Sequence, residues 1–256
     1  MPYYPSSSAS PVVALSDLTA GYGSHAAIHH VTGAFAPASL TAIVEPNGSG
    51  KSTLLKTIAG LLAPISGRCS TARQVMAYLP QVSELDRGFP ARVRDLVALG
   101  LWQRRGLLGR HRPEDRPRVT DALAQVGLEG FQNRPLDTLS GGQLQRTLFA
   151  RVLVQDASLI LLDEPFNAID DRTIRDLIAL IGRWHAEGRT VLTVAHDLVL
   201  VRAHFPQTLL LARRAVAWGP TADVLTDANI ARARSFQEAW DEAAPWCAPN
   251  SAWQAA

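Results

Sequence analysis

A run of small and basic residues, Asn47–Thr53, has the types and spacing to hold a phosphate chain. Gly48, Ser49 and Gly50 form a glycine-rich turn, whose bare backbone N–H groups and following helix N-terminus suit phosphate oxygens. Lys51 adds a point charge for the outer phosphates, and Ser52 a hydroxyl for Mg²⁺. The pattern G-x-x-x-x-G-K-[ST] is complete except at its first position, where this chain has Glu45 instead of glycine. Of the 25 basic residues only Lys51 and Lys56 are lysines, so a lysine inside this pattern is not a chance product of composition.

A second candidate is Ser158–Pro165, SLILLDEP. Its apolar run reads as a strand buried on both faces. It ends in adjacent carboxylates, Asp163 and Glu164, which at the C-terminal end of a parallel strand would face a ligand crevice. Asp163 suits a Mg²⁺ site through water, and Glu164 suits a general base on an attacking water. Two acids after a strand are by themselves more often helix caps or solvated charges. The phosphate loop in the same chain reverses that reading.

A third candidate is LSGGQLQR, Leu139–Arg146. Ser140 followed by Gln143 is a capping-box pattern opening a helix. Gly141 and Gly142 leave that terminus bare for an anion. Taken alone it is a capped helix and no more. Two anion-binding helix termini in one chain suggest two copies closing around one nucleotide.

These residues need a particular framework. From Val12 to Val44 the runs VVALSDL, AAIHHV and LTAIV read as strands. TLLKTIAGLL follows with helical spacing, giving the strand, glycine-rich turn and helix that a phosphate loop requires. Pro64, Ser66 and Gly67 then break the chain, and VMAYLP reads as a strand. The block from Ser83 to Gln155 reads as helical. The last third alternates: strand SLILLD, amphipathic helix TIRDLIALIGRWHAEG stopping at Gly188, strand TVLTVA. Alternating strands and helices argue for a mostly parallel sheet covered on both faces, with the central helical block as a second lobe.

The bulk numbers set limits. A chain of 256 residues with 47% apolar content is long enough for one large domain or a core plus a lobe. A formal net charge of +2 argues against a mainly electrostatic nucleic-acid binder. The opening MPYYPSSSASP lacks the basic and apolar regions of a secretory signal and reads as disordered over residues 1–11. No apolar run approaches membrane-helix length. Cys69 and Cys247 form no disulfide framework, which fits a reducing compartment. His25, His29, His30, His111, His185 and His204 show no metal-ligand spacing.

The ordered set of motifs resembles the ATP-binding subunits of ABC transporters over nearly all of residues 12–235. The residues that carry the resemblance are the phosphate loop Asn47–Thr53, Gln81 in AYLPQ, Ser140–Gln143 in LSGGQ, Asp163 with Glu164, Asp170 in NAID, His196 in TVAHD, and Tyr22 in GYG. The resemblance implies an α/β fold: a P-loop NTPase (RecA-like) core with a mostly parallel sheet, an N-terminal antiparallel β subdomain and an inserted α-helical subdomain over about residues 83–155. Residues 236–256 would be a C-terminal tail. It implies ATP and Mg²⁺, the metal held by Ser52, Gln81 and Asp163. Glu164 and His196 would be catalytic, and Tyr22 would stack on adenine. It implies a head-to-tail dimer with ATP between Lys51 of one copy and Ser140–Gln143 of the other, near the Asp170 loop. Further partners would be integral-membrane permease subunits and, indirectly, an extracytoplasmic substrate-binding protein, with no nucleic acid. The place of work would be peripheral, on the cytoplasmic face of the inner membrane.

Two stretches narrow the resemblance. Leu85–Gly100, LDRGFPARVRDLVALG, and DEPFNAID with Phe166 are similar to zinc/manganese-type importer ATPases; iron-chelate and cobalamin ATPases are near neighbours. Leu85–Gly100 is expected to form the permease contact. The arginine-rich stretch with Arg104, Arg105, Arg110, Arg112, Arg116 and Arg118 reads as a solvated connector, or as a face for lipid or permease.

Two other functional classes remain. A soluble ABC ATPase acting on nucleic acid or ribosomes would carry two nucleotide-binding sets or a long coiled coil, and neither is present. A degenerate module that holds ATP without turnover has Glu45 as its support, against Lys51, Glu164 and His196. Glu45 is expected to weaken but not abolish the site. Its charge near a triphosphate would cost roughly 1–3 kcal/mol at an effective dielectric near 20, relieved if the side chain turns to solvent or pairs with an arginine.

Overall fold

The computed structural model describes residues 10–23, 25–45, 50–84, 88–102 and 114–238. Two sheets organise it. Strands β1 (Val13–Tyr22), β2 (His25–Phe35) and β4 (Ser66–Thr71) form an antiparallel sheet in the order β2-β1-β4. Strands β3 (Leu40–Val44), β5 (Met76–Leu79), β6 (Leu159–Leu162), β7 (Thr190–Ala195), β8 (Gln207–Ala212) and β9 (Arg214–Pro220) form a six-stranded sheet ordered β5-β6-β7-β3-β8-β9. Every pairing in the larger sheet is parallel except β8 with β9.

Of the four inner strands, β3, β6 and β7 are buried at every residue. That follows from their unbroken apolar or threonine-containing runs, which suit a parallel sheet covered on both faces. One apolar cluster, with Ile43, Leu54, Leu55, Leu161 and Leu192, joins this sheet to the antiparallel one across helix α1 (Lys51–Ile58). The other, with Leu79, Leu148, Phe149, Leu177 and Trp184, joins the opposite face to the helical block.

That block contains α2 (Val93–Ala98), α3 (Asp115–Gln125) and α4 (Gly141–Gln155). The run VRDLVALGLW predicts one helix, but α2 stops at Ala98 and continues as a 3-10 turn, Leu99–Leu101. A Cβ at Gly100 would lie 2.3 Å from the Arg151 carbonyl oxygen, so the segment packs directly on the α4 backbone. Helix α4 opens on the expected box: Ser140 Oγ accepts from the Gln143 N–H, and Gln143 Oε1 accepts from the Ser140 N–H.

Helix α5 (Asp171–Ala186) begins where Asp170 accepts from the Thr173 N–H, and it buries Leu177, Leu180, Ile181 and Trp184 at helical spacing. Gly188, at φ 80°, ends the turn after it. Short helices α6 (Leu198–His204) and α7 (Thr221–Val224) follow, and α8 (Asp227–Glu238) runs three residues into the stretch expected to be tail. Residues 1–9 and 239–256 lie outside the described residues.

Candidate functional site

The side chains singled out in the sequence sit at the C-terminal ends of neighbouring strands, where open parallel sheets place their ligands. Strand β3 leads through Glu45 toward α1, β6 ends in Asp163 and Glu164, and β7 ends before His196. Asn47, Gly48 and Ser49 lie outside the described residues.

Gly50 caps α1 at φ 130°, and a Cβ there would come within 2.9 Å of Ile28 Cγ2. No other residue fits that backbone without strain. Ser52 Oγ donates to Asp163 Oδ1 at 2.9 Å, and Gln81 Nε2 donates to Ser52 Oγ at 3.2 Å. The three residues expected around Mg²⁺ therefore meet at one point. Asp163 is fully buried. Burial pushes its carboxyl above the ordinary carboxylate range, against the hydrogen bonds from Ser52 and Tyr78. A hydroxyl, an amide and one carboxylate are hard oxygen-rich donors, the sparse set that suits a Mg²⁺ also held by phosphates and water.

Glu164 stands at φ 49°, a left-handed conformation uncommon for its type. His196 Nε2 lies 2.6 Å from Glu164 Oε1, and Asn167 Nδ2 donates to Glu164 Oε2 at 3.2 Å. A cleft of about 400 Å³ opens beside this carboxylate, lined by Gln81, Gly141, Glu164, Asn167 and Ile169 among others. The glycine of the capped α4 terminus thus borders the same space as the candidate base. Asp170 receives the Thr173 N–H and hydroxyl, which hold its carboxyl below the ordinary range. Tyr22 is exposed at the end of β1 and contributes to raising the Lys56 amine, behind the larger effect of Glu84.

Of the two routes expected for Glu45, solvent or an arginine, the one to solvent is closed by burial. Its buried carboxylate pairs with a cation of the site itself, the buried Lys51 ammonium, Oε2 to Nζ 3.3 Å.

Two residues escaped the sequence reading. Asn167 stands three positions after Glu164, inside the NAID stretch that was singled out only for Asp170, so a signal existed. Tyr78 Oη donates to Asp163 Oδ2 at 3.2 Å, and burial drives its phenol well above the ordinary value. Nothing in the spacing of VMAYLP marks that contact.

Among the described residues no group of three or more His, Cys, Asp or Glu is placed to hold a metal, and no helix is long and apolar enough to cross a membrane. The chain matches the family model described as ABC transporter over residues 28–167. It is 40% identical over 220 residues to the manganese transport system ATP-binding protein MntB of Listeria monocytogenes, covering 83% of this chain and 92% of that one. The zinc transport system ATP-binding protein TroB of Treponema pallidum is 38% identical, covering 86% of each chain. A solved inward-facing transporter assigned to the metal-chelate type superposes with a TM-score of 0.79 at 27% identity, over 88% of this chain and 90% of that chain. The ADP conformation of an ATP-binding cassette gives a TM-score of 0.75 at 20% identity, over 89% and 99%, a likeness of fold alone. Motif order, strand-end geometry and these likenesses agree: the chain belongs to the ABC transporter family, as one of its ATP-binding subunits.

Proposed function

We propose that this chain hydrolyses ATP to drive uptake of a transition-metal ion, zinc or manganese, through a separate membrane permease. The observation that carries the catalytic half is the Glu164 carboxylate, fixed by His196 on one oxygen and Asn167 on the other at the edge of the cleft. A carboxylate so held accepts a proton from a water aimed at the terminal phosphate. His196 orients Glu164 and faces the γ-phosphate. Ser52, Asp163 and Gln81 hold Mg²⁺, which supplies charge neutralisation for the phosphates. Tyr22 stacks on adenine, and the loop Asn47–Thr53 cradles the phosphates. A second copy faces the first head to tail, lending Ser140–Gln143 to its nucleotide, with Asp170 beside the shared boundary.

The permease docks on the face where α2 meets the edge of the large sheet. Phe89, Leu99 and Trp102 are each more than half exposed in this part of the chain, and Leu99 meets exposed Leu61 and Val75 at one groove. A groove of about 810 Å³ beside Leu99 is lined by Leu61, Val75, Met76, Tyr78 and Arg151. Large exposed apolar side chains clustered at a groove mark a partner surface. Residues 85–87 of the expected docking segment lie outside the described residues, as does most of the arginine-rich stretch, 103–113. The subunit works on the cytoplasmic face of the membrane beneath the permease, which takes the cargo from an extracytoplasmic binding protein, so that this chain itself does not touch the ion.

The metal rests on the relatives' transported ions and on the Leu85–Gly100 and DEPFNAID stretches. Uptake in a strain lacking this chain, compared for zinc, manganese and ferric chelates, tests it. Loss confined to zinc or manganese supports the reading. Loss confined to ferric chelate replaces the cargo.

A further inference from the structure

Lys51 is the only lysine of the phosphate loop, and it already has an anion. Its ammonium lies 3.3 Å from Glu45 Oε2, with side-chain exposures of 3% and 0%. Val44, one residue before Glu45, is paired on both sides, with Ala195 of β7 and Leu210 of β8. Beyond Lys51, Leu54 and Leu55 of α1 are fully buried. Two opposite charges this close and removed from water stabilise each other, and drawing Lys51 away takes this cation from a buried carboxylate.

We infer that Glu45 is an internal competitor for Lys51, so that nucleotide binding at this loop is an exchange of counter-ions rather than the filling of a vacant cation. This rests on the reading that Lys51 belongs to a nucleotide site. An entering triphosphate meets one of two situations. Lys51 leaves Glu45 for the phosphates, and the carboxylate loses this cation while further negative charge arrives beside it. Alternatively Lys51 stays, and the phosphates lose their lysine. Both lower affinity, and both are removed by neutralising one side chain. Glu45 is therefore a residue that sets nucleotide affinity through Lys51, not through simple repulsion at a distance.

The two accounts separate in a double-mutant cycle. ATP affinity is measured by calorimetry for wild type, Glu45→Gln, Lys51→Ala and the double variant. Competition predicts that Glu45→Gln tightens ATP binding at least about tenfold. It also predicts that losing Lys51 weakens binding at least about tenfold more in the Glu45→Gln background than in wild type. Equal losses in both backgrounds overturn the inference and leave the nucleotide site intact. No ATP binding by any variant overturns the site reading and the inference with it.

Lys51→Ala leaves Glu45 buried without this cation and can fail to fold, so a second readout uses wild type and Glu45→Gln alone. Because the chain has just two lysines, an amine-acylating reagent followed by peptide mass spectrometry reads Lys51 directly, with Lys56 as internal reference. Nucleotide-free wild type should protect Lys51, and Glu45→Gln should raise its acylation relative to Lys56 several-fold. An unchanged ratio means the ammonium is not held by Glu45, and the inference falls.

Discussion

His196 Nε2 stands 2.6 Å from Glu164 Oε1, across the boundary between the ends of β6 and β7. The two strands are adjacent and parallel, so the pairing comes from sheet order and not from proximity in sequence. A carboxylate fixed this way keeps its orientation while water and nucleotide exchange around it.

Glu164→Gln should lower ATP turnover by about 10²–10⁴-fold, the usual worth of a general base. The amide remains polar but cannot take the proton, so ATP should stay bound and hold the two copies together. Sizing chromatography with ATP should show a dimer. A monomer, or turnover at the wild-type rate, would remove Glu164 from the catalytic role.

Asn167→Ala takes away one hydrogen bond to Glu164 and leaves the carboxylate itself in place. A single hydrogen bond of about 0.5–1.5 kcal/mol predicts a loss of roughly threefold to tenfold in turnover. ATP affinity should hold, because Asn167 acts through Glu164. A loss of affinity with unchanged turnover would place Asn167 on the nucleotide instead.

Lys51→Ala should weaken nucleotide binding and should also destabilise the fold. Breaking a buried ion pair by removing one partner costs about 3–5 kcal/mol. Thermal unfolding should show a lowered midpoint in Lys51→Ala and recovery in Glu45→Gly/Lys51→Ala, with ATP binding in the double variant still weaker than in Glu45→Gly. ATP binding as tight in the double variant as in Glu45→Gly would show that Lys51 does not serve the phosphates.

Asp95 bears a charge and Phe89 an exposed ring in the expected docking segment. Reversing Asp95 together with Phe89→Ser should lower transport severely. ATP turnover of the isolated subunit should stay within about a factor of two, since Asp95 accepts the Arg92 N–H at the start of α2 and neither side chain is among the nucleotide-site residues. Normal transport by this variant would move the docking face elsewhere.

Cys69 lies half-buried on β4, and burial lifts its thiol from 9.0 to about 11. The unfolded chain therefore releases this proton at lower pH than the folded one. The stability linked to Cys69 is lost as pH rises from about 9 towards about 11. In a Cys247→Ser background, alkylation at pH 8 should be slow and should accelerate steeply only above pH 9. Fast alkylation at pH 8 would mean an exposed, ordinary thiol.

Much of this was legible in the chain itself. The inner strands announce themselves as apolar runs, and Ser140 with Gln143 specified the cap of α4 down to both hydrogen bonds. Strand β4 was not legible. SGRCST has no alternating pattern because it is an exposed strand that presents little more than Cys69 to the core. The break at Leu99 was hidden because helical spacing runs through it, and so was the close approach of Gly100 to the α4 backbone at Arg151. Glu45 was visible as an oddity, but its pairing with Lys51 was not. Burial at the end of β3 removed the solvent route and left Lys51, six residues on, within reach.

ATP-driven metal uptake into vesicles holding the permease and this subunit, with Glu164→Gln beside wild type, joins the catalytic site to the transport role in one experiment. Wild type should take up zinc or manganese in a manner that needs ATP and Mg²⁺, and Glu164→Gln should take up none although ATP still binds. Equal uptake by the two proteins, or uptake without ATP, would contradict the proposed function.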